Sequence, residues 1–200
     1  TQIERRLGNI KDQVEHLKSI MDDVLYLARL EARRSDFNPV RINPDVLCRS
    51  IIDEFQSRPD IHHEIRYTSD DPLREISLDI KLMRQIISNL VSNAIKYSPR
   101  YKIIMVSLEY TNTSLVLRFS DSGIGIPDAD LKHLFEPFHR ASNVGTISGT
   151  GLGLVITKES VERHGGIITV DSQIDRGTTF MVTIPIAAKE GSPHDKNFDN

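Results

Sequence analysis

The sequence predicts an α+β sandwich, three helices over one mixed sheet, preceded by a long helix built to pack in a bundle. Three observations carry that reading. Apolar residues recur at heptad spacing through the first 34 positions. Three later segments combine a helical apolar period with capping residues. Short alternating runs, most of them in consecutive pairs, follow those helices and read as strands. Elements in this order bury each other's apolar faces as two layers.

Taken in order, residues 1–34 read as one helix. Its seam is Ile3, Leu7, Ile10, Val14, Leu17, Met21, Val24 and Ala28, at spacings alternating four and three, and Ile20, Leu25, Leu27 and Leu30 widen it. A lone helix cannot bury such a stripe, so a partner helix or a second copy is expected. His16 lies off the seam and reads as an exposed helical residue. Pro39 and Pro44 break the pattern, which predicts a linker or domain boundary over 33–44. Asn43 then caps a helix with Pro44 at its first position and Leu47, Ile51 and Phe55 on one face. Residues 64–68 and 75–78 are strand candidates. Asp79 caps a helix reaching about Lys96, with Ile80, Met83, Ile86, Ile87, Leu90, Val91 and Ala94 inward. Strands over 102–110 and 114–120 are joined by turn residues. A Gly-rich polar stretch over 121–151 holds one helical turn near 129–135. A helix over 152–164 stops at Gly165 and Gly166. Strands over 167–172 and 178–184 precede a polar tail, expected to be disordered, from Lys189.

Composition narrows the function classes. At 200 residues the chain has room for one full domain with an appended element. A chain this long buries about 70% of its unfolded surface and needs no staple. Cys48 is the one cysteine, so no disulfide framework exists and a reducing compartment is expected. The 25 basic and 28 acidic residues are well mixed and leave a net charge of −3, which argues against nucleic-acid binding and against a polybasic membrane anchor. No apolar run approaches the roughly 18 residues of a membrane helix, and no signal peptide opens the chain. Thr1 already lies within the helical pattern, so the chain is expected to be a fragment with a segment missing upstream.

Four local features bear chemistry. The first is Asn89-Leu90-Val91-Ser92-Asn93-Ala94-Ile95-Lys96-Tyr97, in which Asn89 and Asn93 leave the same helix face and Lys96 follows one turn on. Two amide oxygens can ligate a hard cation, and a lysine can meet phosphate; an ordinary polar helix face gives the same pattern. The second is Asp121-Ser122-Gly123-Ile124-Gly125-Ile126-Pro127, directly after a strand. Its glycines permit close backbone approach to a ligand, and its carboxylate accepts hydrogen bonds without donating any, which suits the exocyclic amine of adenine and opposes the carbonyl of guanine. A simple turn explains the glycines but not the aspartate. In the third, Leu134-Phe135-Glu136-Pro137-Phe138-His139-Arg140, the two phenylalanines read as core anchors and Arg140 is placed to swing toward phosphate. The fourth is Gly149-Thr150-Gly151-Leu152-Gly153-Leu154, which offers unpaired amides at a helix N-terminus. It is neither a Walker loop nor a dinucleotide fingerprint.

In content, order and spacing these features resemble the N, G1, F and G2 boxes of sensor histidine kinases, and residues 41–186 resemble their catalytic ATP-binding domain. The helix carrying Asp22-Asp23-Val24-Leu25-Tyr26-Leu27-Ala28-Arg29-Leu30-Glu31-Ala32 resembles the second helix of their dimerisation and phosphotransfer domain. The resemblance implies a Bergerat-type sandwich, a bundle helix over 1–36, a catalytic domain over 37–188 and a tail over 189–200. It implies ATP and Mg²⁺ as cofactors. Asp121 would accept from the adenine amine, with Thr179 as a second, water-mediated contact. Asn93 with Asn89 would hold Mg²⁺, Lys96 would neutralise phosphate and Tyr97 would lie along the adenine. Gly123, Gly125 and Ile126 would also bind the cofactor. Gly149, Thr150, Gly151, Leu152, Gly153 and Leu154 would receive the phosphates. Asn89, Lys96 and Arg140 would be the catalytic set. Residues 127–148 would form a mobile lid whose small polar tip, 141–146, is expected to be disordered without ligand.

The ATP-hydrolysing relatives carry a glutamate four residues before the metal-binding asparagine. Here that position is Asn89, an amide that cannot act as a base. Transfer to a protein histidine is therefore expected over hydrolysis, with onward transfer to an aspartate of a response-regulator receiver domain, in a homodimer formed through the bundle and located in the cytoplasm. None of the seven histidines lies in the acceptor stretch typical of the family, so the acceptor is expected on a missing helix. A serine kinase or anti-sigma-factor-like member of the same superfamily and a degenerate nucleotide-binding interaction module are the alternatives.

Overall fold

The computed structural model describes residues 37–186 together with Val14, Leu17, Lys18, Met21, Asp23, Val24, Leu25 and Ala28. Those eight earlier residues are all helical, and the seam members among them, Val14, Leu17, Met21, Val24 and Ala28, are exposed. The remaining seam positions, His16, and the tail expected over 189–200 lie outside the described residues. No helix among the described residues is long and apolar enough to cross a membrane.

The first strand is one that the sequence reading missed. Strand β1 (Val40–Ile42) pairs antiparallel with β3 (Ile76–Leu78) in a separate two-stranded sheet, Val40 facing Leu78 and Ile42 facing Ile76. Two flanking prolines and three residues give too short a run for strand alternation to register, so the stretch read as pure linker. Helix α1 (Pro44–Gln56) begins as expected, with Asn43 Oδ1 accepting from the Asp45 and Val46 amides. Its buried stripe is rotated from the expected one, since Cys48, Ile51 and Ile52 are fully enclosed while Leu47 and Phe55 are partly so.

The main sheet has five strands in the order β2-β4-β5-β7-β6. They are β2 (Glu64–Ser69), β4 (Ile103–Tyr110), β5 (Ser114–Ser120), β6 (Ile167–Gln173) and β7 (Gly177–Pro185). The β2–β4 pair is parallel and the others antiparallel, which makes the sheet mixed as expected. One face is apolar: Val106 pairs with Phe119, Leu108 with Leu117, Phe119 with Phe180 and Leu117 with Val182, all buried. The opposite face carries Met105, Arg118 and Glu109, with Arg118 and Glu109 3.8 Å apart. That alternation is what a sheet covered on one side requires.

Helix α2 (Ile80–Tyr97) lies across the apolar face and buries Leu82, Met83, Ile86, Ile87, Leu90, Val91 and Ala94. Asp79 caps it, accepting from the Lys81 and Leu82 amides. Ile80, expected inward, is 42% exposed, and Leu82, at 4%, is buried in the first turn. Helix α3 is a single turn (Asp128–Leu131), and α4 (Gly153–Arg163) packs beside α2 and ends at Gly165, φ +70°. A half-buried histidine joins these elements. His164 Nδ1 donates to the Ser160 carbonyl at 2.8 Å, its Nε2 accepts from the Asp79 amide at 3.1 Å, and Phe37 meets its ring edge-on.

Candidate active site

The C-terminal half of α2, the loop after β5, the segment after α3 and the N-terminus of α4 enclose a cavity of about 870 Å³. All four sequence features reach it. Lining residues include Asn89, Asn93, Lys96, Tyr97, Asp121, Gly125, Ile126, Arg140, Gly149, Thr150, Gly151, Gly153 and Leu154. Gly123, Leu152 and Thr179 are not among them.

Asp121 stands where β5 ends, a position fixed by its amide donating to the Thr178 carbonyl at 2.9 Å. Its Oδ1 accepts from the Gly123 amide at 2.8 Å and the Thr178 amide at 3.3 Å. Oδ2 takes no hydrogen bond from the described residues, so the carboxylate has a whole oxygen to offer the cavity. Burial raises its pKa, partly offset by those two amides. The glycines of this loop serve the protein backbone more than a ligand. Gly125 adopts φ +66°, and a Cβ there would lie 2.0 Å from the Gln173 carbonyl oxygen. Gly123 is buried, its amide turned onto Asp121.

Thr179 was the expected second contact, but strand parity places it otherwise. Its hydroxyl pairs with that of Ser120 across β5 and β7 at 2.9 Å, while Thr178 lines the cavity and bonds to Ser172. Phe180, two residues on, closes the floor on the same face. Leu152 is 1% exposed and belongs to the core.

Three contacts fix the Gly-rich loop before α4. Gly151, at φ +73°, lets its carbonyl accept from the Phe138 amide at 3.1 Å. The Leu152 amide donates to Thr150 Oγ1 at 3.2 Å. Thr150 in turn donates to Asp23 of the N-terminal helix at 2.8 Å, which brings Asp23 into the cavity wall. Helix α4 then starts without a side-chain cap and with no acidic residue in its first turn. Its first amides and dipole are left to whatever anion the cavity receives.

On α2 the two asparagines are not equivalent. Asn89 Nδ2 donates to the Gly153 carbonyl at 2.9 Å and to Thr157 Oγ1 at 3.3 Å, and its Oδ1 accepts from Gln85 at 3.2 Å. Asn89 thus ties α2 to the start of α4. The Asn93 side chain makes no hydrogen bond among the described residues and lines the cavity. Lys96 lies 4.8 Å above the Tyr97 ring, beside Gly149. Among the described residues no group of three or more His, Cys, Asp or Glu gathers around a metal position.

The segment after α3 differs from expectation. Phe135 packs against the core, but Phe138, expected there too, is 64% exposed at φ +63°, because its backbone rather than its ring meets Gly151. The tip, expected to lack anchors, has several. Ser142 N and Oγ both donate to Asp130 Oδ2 at 2.8 Å, Asn143 donates to the Gly125 carbonyl at 2.9 Å, and Ala141 is buried. Arg140 donates to the Ile147 carbonyl. Ile124, Leu134 and His139, which lie within the motifs but were given no role from the sequence, also line the cavity, as do Val144 and Ser148; all are in irregular backbone, where no period reveals which way a side chain faces.

Residues 78–188, more than half of the chain, match the family model described as histidine kinase-, DNA gyrase B-, and HSP90-like ATPase. The sensor histidine kinase WalK of Bacillus subtilis (strain 168) is 32% identical over 190 residues, covering 93% of this chain and 31% of WalK. The chain thus spans about a third of the length of that relative. Among solved structures, the mycobacterial sensor histidine kinase MprB is 26% identical with a TM-score of 0.64, over 74% of this chain and 99% of the MprB chain. Full-length ShkA, crystallised with AMPPNP, is 23% identical with a TM-score of 0.76, over 94% of this chain and 40% of its own, and shares the fold.

Proposed function

Because the chain belongs to the histidine kinase-, DNA gyrase B- and HSP90-like ATPase family, we propose that its cavity binds ATP and serves transfer of the γ-phosphoryl group to a histidine on a helical bundle. The observation that carries this is the arrangement of Asp121, the Gly-rich loop and Asn93 around one cavity. Asp121 Oδ2 accepts from the adenine 6-amino group and would repel the carbonyl oxygen that guanine presents. The Gly-rich loop amides other than that of Leu152, which Thr150 engages, and the α4 dipole receive the phosphates, with Lys96 and Arg140 supplying positive charge.

The residues fit a divalent cation modestly. Asn93 offers an amide unengaged by the described residues, Asn89 shares its oxygen with Gln85, and among the described residues no carboxylate cluster competes. Mg²⁺ held by Asn93, with Asn89 beside it, supplies charge neutralisation at the phosphates. Asn89 has no proton-accepting nitrogen, and both Gly153 and Thr157 engage its amide. Nothing at that position activates water, which favours a protein nucleophile over hydrolysis. In the transfer, an imidazole nitrogen bonds to the γ-phosphorus as the bond to the β–γ bridging oxygen breaks, and ADP leaves. Positioning and fixed charge do most of that work.

The wider reading follows from the same family. Residues 1–36 form the second bundle helix and mediate homodimerisation, 37–188 form the catalytic domain, and 127–148 act as a lid. A response-regulator aspartate receives the phosphoryl group from the histidine, in the cytoplasm. The test is to supply this chain with Mg-ATP and a separate histidine-bearing bundle. An acid-labile, base-stable phosphoprotein is expected. An acid-stable product would point to a serine acceptor, and no product at saturating nucleotide would sink the kinase reading.

A further inference from the structure

His139 occupies the cavity wall beside Arg140, yet it has no part in the reading above. Its Nε2 is buried without a hydrogen-bond partner and lies 3.8 Å from Asp130 Oδ1, with the two side chains only 25% and 15% exposed. The other oxygen of that carboxylate is already committed, since Asp130 Oδ2 accepts from both the amide and the hydroxyl of Ser142. One carboxylate therefore faces the cavity-lining imidazole on one side and pins the tip of the 127–148 segment on the other.

We propose that His139 and Asp130 form a charge-operated latch: phosphate charge entering the cavity draws a proton from solvent onto His139, and the imidazolium closes onto Asp130, fastening the segment over the nucleotide. The inference rests on the nucleotide reading of the cavity. Only an N–H bond forms, and the proton comes from the buffer. Asp130 is suited to its part, because the Ser142 amide and hydroxyl, with the two nearby histidines, hold its carboxyl below the usual range and keep it ionised. The charged groups around His139 are few. His133 lies with its ring 5.7 Å away, and its Nδ1 is paired with Glu136 at 2.9 Å. Arg140 is adjacent in sequence, and Lys96, Asp121 and Asp23 line the same cavity. Of these, Asp130 is the acceptor within reach of Nε2, so a proton gained by His139 has a defined destination.

A contact of this kind makes nucleotide binding take up a proton. The test is calorimetric titration with AMPPNP at pH 7 in two buffers of different ionisation enthalpy, on the wild-type chain, on His139→Gln and on Asp130→Asn. Ionisation of the ligand's own phosphates is common to all three and cancels in the differences. Wild type is expected to take up a larger fraction of a proton than either variant. Its affinity should also weaken about threefold more than that of His139→Gln between pH 6 and 8. Tight binding with equal proton uptake in all three proteins overturns the latch alone. Failure of the wild-type chain to bind AMPPNP overturns the nucleotide reading, and the latch with it.

Discussion

Asp121 ends a strand in a half-buried position, and burial favours its neutral form while two backbone amides only partly restore the charged one. The sign of the consequence follows from linkage. A carboxyl whose pKa is raised by folding adds most to stability below its unfolded pKa, and that contribution is lost as pH rises through the folded value. At neutral pH the ionised Asp121 therefore weakens the fold. Asp121→Asn keeps an oxygen for the Gly123 and Thr178 amides and removes the buried charge. Thermal unfolding at pH 7 should show the variant at least as stable as wild type, with the advantage vanishing in acid. A clear drop in melting temperature at pH 7 would contradict this account of the site. The aspartate itself was legible in the sequence, because a turn has no need of it. Thr178 was not, since a run of two threonines at a strand start leaves open which one faces the core, and the β5–β7 register decides it.

Elements were legible where a period runs long enough. The helix over 80–97 emerged from seven inward positions and an aspartate cap, and the structure moves only Ile80. The strand at 40–42 was invisible because three residues between prolines carry no alternation. Long-range contacts also escape the sequence, and His164 is the clearest of them. It links the end of α4 to the cap of the helix that bears Asn89, Asn93 and Lys96, and Asp79 Oδ2 also accepts from the Asn38 amide of the linker. Burial lowers the His164 pKa from its ordinary value of 6.5, against the opposing pull of Ser160 and Asp79. Such a group contributes stability above its unfolded pKa and loses it as pH falls through the depressed folded value. Protonation places a hydrogen on Nε2, where the Asp79 amide now donates. Chemical denaturation across pH 7 to 5 should show wild type losing stability in that window, and His164→Gln should follow a flatter profile. Parallel profiles would remove His164 from this role.

For the molecule as a whole, a hydrogen bond from Thr150 to Asp23 ties the cavity to the N-terminal helix, whose described seam members are exposed. The seam announced a helix in search of a partner, but no local pattern announced that one of its carboxylates reaches the Gly-rich loop. A negative charge on the wall of a cavity that receives a triphosphate opposes the ligand. Asp23→Ala should therefore tighten AMPPNP binding about threefold at low salt, less so as salt screens the charge. Unchanged affinity at every ionic strength would mean that Asp23 is too distant or too well paired to matter.

The central claim is that Asp121 reads the adenine of a nucleotide whose phosphates lie on the 149–154 loop. Its most direct test is calorimetric titration of the chain with AMPPNP, with and without Mg²⁺, alongside Asp121→Asn. A hydrogen bond to a charged group is worth about 1.5–3 kcal/mol, so the variant should bind about 10- to 100-fold more weakly while remaining folded. Mg²⁺ should strengthen binding to wild type. Equal affinity of the two proteins, or no binding to the folded wild-type chain, would contradict the account.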